Sequence, residues 1–286
     1  MRERLLAYAQ LMRLDRPIGI WLLLWPMLWA LWLASDGRPD ERIFAVFVLG
    51  TLLMRSAGCV INDYADREFD PHVKRTAQRP LARGAVRPGE ALALFALLLA
   101  CAAALLPLLN RTTQQLAVVG ALLAVIYPFM KRIFSLPQAW LGVAFGWAVP
   151  MAFAAQSGHV PATGWILFAT TLAWTVAYDT LYAMVDRDDD LRIGVRSSAI
   201  LFGGHDRALV GLLQIATMLG LAWVGIRESL GHWYWLGLLA AGLLFLRQQW
   251  LIREREPTAC FIAFLGNHWI GVAVFVGLAL DRLFAA

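Results

Sequence analysis

Runs of about 20 apolar residues recur along the whole sequence, each long enough to cross about 30 Å of hydrocarbon as a helix. They lie at roughly 17–35, 42–61, 89–109, 115–130, 137–155, 162–185, 206–226, 232–252 and 258–280. The short alternating segments of a membrane β-barrel are absent. With 60% apolar and only 16% charged residues, the chain has too little charge to cover a water-facing surface. The expected fold is an all-α polytopic membrane protein with nine transmembrane helices, formed by residues 1–286 as a single domain.

Basic residues set the expected orientation. If the N-terminus and every second loop share one side, that side holds nineteen of the 25 Lys and Arg. The other side holds five, and Arg55 falls inside a span. Loops rich in Lys and Arg stay in the cytoplasm, so the N-terminus is expected inside and the C-terminus outside. Residues 1–16 carry four Arg and lead into a full-length span without a small-residue cleavage site. This points to a bacterial inner membrane rather than an organelle. The three Cys and five His are scattered, without metal-ligand spacing, so neither zinc, haem nor a disulfide framework is expected. Nucleic acid and an obligate protein partner are not expected either.

Two loops, about 62–88 and about 186–205, differ from the other, short connections. Each opens with a dense acidic run and continues with basic residues. Sliding one over the other by 120 positions puts Asp66 on Asp186, Arg67 on Arg187 and Asp70 on Asp190. "DREFD" then lies on "DRDDD", as expected of an internal repeat spanning about 17–130 and 137–252. On a helical wheel Asn62, Asp66 and Asp70 fall within about 80°, with Arg55 on the same stripe. Asp179, Asp186 and Asp190 fall within about 40° by the same geometry. Each helix is therefore expected to extend an acidic ridge into the cytoplasm, stopping at Pro71 and at Gly194. Asp63, Glu68, Asp188 and Asp189 lie off these ridges.

Charge at a helix end is ordinarily solvated surface. Two runs at matched positions, together with an Arg inside a span, argue for a site instead. Carboxylates stacked on one ridge repel, and oxygen donors without His or Cys suit a hard cation. Mg²⁺ keeps several waters and is usually completed by phosphate oxygens of a substrate. Two such ridges facing one cavity would hold a diphosphate through Mg²⁺, with neighbouring Arg and Lys neutralising the remaining charge.

The stretch "NDYADREFD" matches the NDxxDxxxD pattern of the UbiA family of intramembrane prenyltransferases, and "YDTLYAMVDRDDD" resembles that family's second aspartate-rich motif. The longer stretches "AGCVINDYADREFDPHVKRTAQRPL" and "AYDTLYAMVDRDDDLRIGVRSSAILFG" resemble the branch that prenylates 4-hydroxybenzoate in ubiquinone synthesis. So do "LMRLDRPIGIWLLLWPMLWALW" and "YPFMKR". The resemblance implies helices around a central cavity and transfer of a polyprenyl group from polyprenyl diphosphate to the ring carbon ortho to the hydroxyl. By motif match Asn62, Asp66, Asp70, Asp186 and Asp190 would serve Mg²⁺, the four aspartates being the catalytic candidates. Arg55, Asn62, Arg67, Lys74, Tyr127, Lys131, Arg132, Asp179, Arg192 and Arg196 would contact substrate. The alternatives are another acceptor (naphthoate, homogentisate or haem) or a cation-coupled transporter. The stripe Trp21, Trp25, Trp29 and Trp32 reads as helix or lipid packing in preference to a tunnel wall.

Overall fold

The computed structural model describes residues 2–72, 76–194 and 196–284, and no strand occurs among them. Twelve α-helices follow one another in these residues. They are α1 (Arg2–Leu11), α2 (Ile18–Ala34), α3 (Glu41–Asp66), α4 (Pro88–Leu105), α5 (Arg111–Ile133) and α6 (Pro137–Gly146). After these come α7 (Ala148–Ser157), α8 (Ala162–Ile193), α9 (Ser198–Phe202), α10 (Asp206–Arg227), α11 (His232–Leu251) and α12 (Pro257–Phe284).

Among the described residues six helical stretches are long and apolar enough to cross a membrane: α3, α4, α6–α7, α9–α10, α11 and α12, some with a 3-10 turn appended. The shorter apolar helix α2, together with α5 and α8, occupies the three remaining expected segments. The protein is thus a multi-pass α-helical membrane protein. The expected span 137–155 is two helices that break at Trp147. Pro150 explains the break, since its ring cannot donate to the Gly146 carbonyl and crowds it. Helix α1 lies outside the nine segments and seats Ala7 and Leu11 against α3 and α4, leaving Leu5 and Leu6 exposed.

Local chemistry sets most boundaries. Asp40 caps α3 by accepting from the Ile43 amide at 3.0 Å, and Asn110 caps α5 by accepting from Thr113 at 3.0 Å. Gly194 ends α8 in the left-handed region, φ 71°, where a side chain would be strained. This is the expected stop. The other is not: α3 ends at Asp66, and Asp70 begins a separate 3-10 turn, Asp70–His72. The carboxylates at 62, 66 and 70 therefore do not share one continuous helix.

Helix α8 is central, packing on α6, α10 and α12, while α2 packs on α7 and α12 and α3 on α4. Trp29 of α2 stacks on Trp174 of α8 at 5.2 Å, and Trp174 donates to Asn267 of α12 at 2.9 Å. Trp25 donates to His268 at 3.2 Å. None of the four tryptophans in the α2 stripe lines the central cavity described next, which is the packing role expected of them.

Candidate active site

A cavity of about 800 Å³ lies between α2, α3, α4, α5, α6–α7, α8 and α12. On α3 it is lined from Val46 to Asp63, about 25 Å at 1.5 Å per residue. Its deep half is walled by apolar and small side chains: Val46, Phe47, Gly50, Leu106, Ala117 and Met151. Its mouth is polar, with Arg13, Asn62, Asp63, Arg79, Tyr127 and Asp179. Arg55 lines the wall between the two halves, its guanidinium 5.5 Å from the centre of the Phe145 ring. It reaches this place across Gly19 of α2, where any Cβ would overlap the guanidinium. Among the described residues Arg55 has no carboxylate within ion-pair distance.

Asp63 is 1% exposed and holds two arginines. Arg13 donates to both its oxygens at 2.8 Å, and Arg79 pairs with it at 3.0 Å. The same Arg79 donates to both oxygens of Asp70, at 3.1 and 3.0 Å. Arg13, in the turn between α1 and α2, holds this position at φ 59°, an uncommon conformation for a residue with a side chain. Burial raises the Asp70 pKa above the ordinary carboxylate range; Arg79 only partly counters this, and the charges of Asp63 and Asp66 add to the rise.

The UbiA prenyltransferase family matches residues 23–271 of this sequence. The chain belongs to the UbiA prenyltransferase family. It is 59% identical over 285 residues to a 4-hydroxybenzoate octaprenyltransferase of Nitrosococcus oceani, covering 100% of both chains. Its fold is similar to that of a UbiA homolog from Aeropyrum pernix, with TM-score 0.81, 25% identity, and 92% and 97% of the two chains covered. It is also similar to a UbiA homolog from Archaeoglobus fulgidus bound to GPP and Mg²⁺, with TM-score 0.72, 16% identity, and 97% and 99% covered.

In this UbiA-family chain the predicted site residues divide into groups. Arg55, Asn62, Tyr127 and Asp179 line the cavity. Asp66, the buried last residue of α3, lies within electrostatic reach of Tyr127, as does Asp179 from α8. Asp70 is buried against Arg79. Asp186 and Asp190 are half-buried on the extension of α8. Asp190 and Arg196 line a second, shallower pocket with Ser135 and Ser197. Arg67 is turned onto its own segment: it donates to the Tyr64 carbonyl at 2.9 Å, pairs with Glu68 and covers the Tyr64 ring. Arg192 is largely exposed and pairs with Asp189 at 3.7 Å. Lys74 and the side chains of Lys131 and Arg132 lie outside the described residues.

Asp63 corrects the helical-wheel reading. It lies off the ridge of Asn62 and Asp66, yet it faces the mouth because the ion pairs come from the α1–α2 turn and the 76–87 loop rather than from α8. Arg13 was legible only as a flanking basic residue; nothing local in the sequence signals its contact with Asp63, fifty positions away.

The donors that line the mouth, Asn62, Asp63 and Asp179, offer oxygen alone and suit a hard cation, whereas Asp66, Asp70, Asp186 and Asp190 lie outside the cavity lining. Among the described residues no three His, Cys, Asp or Glu side chains converge to hold a metal by themselves.

Proposed function

We propose that the protein transfers a polyprenyl group from polyprenyl diphosphate to the ring carbon ortho to the hydroxyl of 4-hydroxybenzoate, with Mg²⁺ as its cofactor. The carrying observation is the division of the cavity: along about 25 Å of α3 it passes from an apolar deep half to a mouth of carboxylates and arginines, with Arg55 between them. A donor with a lipid-soluble tail and a doubly charged head fits that division end to end. The activity named for the full-length relatives and the GPP and Mg²⁺ bound by the Archaeoglobus homolog support the same reading.

Asn62, Asp66, Asp70, Asp186 and Asp190 would hold the metal at the mouth. The chemistry such an ion would supply there is Lewis-acid neutralisation of the diphosphate, which would make it a better leaving group. Arg79 and Arg13, now on Asp63 and Asp70, are placed to meet diphosphate oxygens. Tyr178, Tyr182, Phe145 and Phe264 line the cavity, and aromatic rings there would stabilise an allylic cation. Arg55 pairs with the carboxylate of the acceptor and turns the phenol ring toward that cation. The C–O bond to diphosphate breaks with its electron pair leaving on oxygen. The ortho carbon then forms the new C–C bond, and its proton passes to a carboxylate of the mouth or to the released diphosphate. The site faces the cytoplasm of a bacterial inner membrane, with the N-terminus inside and the C-terminus periplasmic.

Purified protein in nanodiscs, given polyprenyl diphosphate, 4-hydroxybenzoate and Mg²⁺, is expected to form the prenylated acid. Chelation should stop the reaction and added Mg²⁺ restore it. A folded preparation that is inert at every tail length, or that works equally well after chelation, overturns the proposal.

A further inference from the structure

The acidic end of α8 poses a mechanical problem. Asp186, Asp188, Asp189 and Asp190 crowd the last turns of a 32-residue helix, where like charges at helical spacing repel and the helix dipole is also negative. Left alone, such an end would fray, yet α8 stays helical through Ile193.

Arg187, between two of these carboxylates, leaves the ridge and reaches sideways. Its Nη2 donates to the carbonyls of Ala199 and Gly203 and to Asp206 Oδ2, the last two at 2.8 and 2.5 Å. Asp206 is fully buried, at 0% exposure, at the start of α10. Its other oxygen accepts from Arg255 Nε at 2.8 Å, and Arg255 also donates to the Gly204 carbonyl. Arg255 closes the turn between α11 and α12 at φ 57°, a left-handed position held by these bonds. One buried carboxylate thus ties together the end of α8, the corner between α9 and α10, and the corner between α11 and α12.

We propose that Asp206 is a positioning residue: through Arg187 it fixes the end of α8 that presents Asp186 and Asp190 to the metal–diphosphate. This rests on reading that end as a metal-binding one. Asp206 itself, buried beneath Arg187 and Arg255, touches neither substrate nor metal. Its effect passes through one side chain, next to Asp186 in sequence and three positions before Asp190.

The test compares wild type, Asp206→Asn and Asp206→Glu in nanodiscs by two readouts. The first is amide exchange along α8. The second is binding of Mn²⁺ with inorganic diphosphate, followed by the Mn²⁺ resonance. Asp206→Asn is expected to speed exchange within residues 186–193 and to weaken Mn²⁺–diphosphate binding about tenfold to a hundredfold, the usual loss for a partner one shell out. Asp206→Glu should recover part of both. Unchanged binding by Asp206→Asn overturns the positioning role, as does faster exchange spread through every helix with normal affinity in the folded fraction. Wild type that binds no Mn²⁺–diphosphate overturns the metal reading, and the positioning role with it. If Asp206→Asn does not fold, Arg187→Lys keeps the charge and loses the fork, and the same two outcomes decide.

Discussion

Arg55 is the side chain whose surroundings say most about what the cavity receives. An arginine within a span is costly unless something anionic meets it, and among the described residues no carboxylate does. Replacing it with Met should raise the KM for 4-hydroxybenzoate about tenfold to a hundredfold, the value of a charge-assisted hydrogen bond of about 1.5–3 kcal/mol. The KM for the polyprenyl donor should not change; steady-state kinetics with each substrate varied would show which one Arg55 serves. Asp70 has the opposite character, a carboxyl that burial pushes toward its neutral form. Metal binding needs the charged form, so lowering the pH through its raised pKa should weaken the metal site while ordinary carboxylates are still ionised. The Mg²⁺ concentration for half-maximal rate is therefore predicted to climb as pH falls. In Asp70→Asn that climb should shrink, with a higher Mg²⁺ requirement at every pH.

At the scale of elements, the two acidic motifs look alike in sequence and fold differently. Periodicity alone placed a helix under each, and for α8 it was sufficient: Arg192 sits in the last turn and Gly194 accepts the left-handed cap. Helix α3 has no basic residue in its last turn. Its carboxylates face the negative end of the helix dipole, and Pro71 biases Asp70 away from helical backbone. The chain turns at Asp66, which detaches Asp70 from the ridge and brings it to Arg79. Hydrophobic run length made the spans legible, and the motif spacing pointed to Asn62 and Asp179, which line the cavity, and to Asp66, which lies outside its lining. The partners of Asp63 were not, because an ion pair between residues 13 and 63 is a product of packing, with no periodic trace. The close approach of α2 and α3 is equally silent in sequence until Gly19 is seen beneath the Arg55 guanidinium. Gly19→Leu should displace that guanidinium and reproduce the acceptor-binding defect of Arg55→Met, with the donor KM preserved; wild-type kinetics would dissociate the two positions.

For the whole molecule, the nine apolar segments and the bias of basic residues together make a topological prediction. Single cysteines placed near residue 2 and near residue 284 should be labelled from opposite sides of sealed inverted vesicles, the first from the cytoplasmic face. Labelling of both from one face would contradict the orientation and the odd number of crossings. Everything in the functional account also requires that the ends of α3 and α8 serve one ligand, although Asp186 and Asp190 lie on an extension beyond the lining of the cavity. The most direct measurement is an experimental structure of the protein with a polyprenyl thiodiphosphate and Mn²⁺, located by its anomalous scattering. Metal density is expected between Asp66 and Asp186, with the thiodiphosphate against Arg79 and the tail running past Gly50 toward Val46. A headgroup bound away from both helix ends, or metal held by one motif with the other facing solvent, would contradict it.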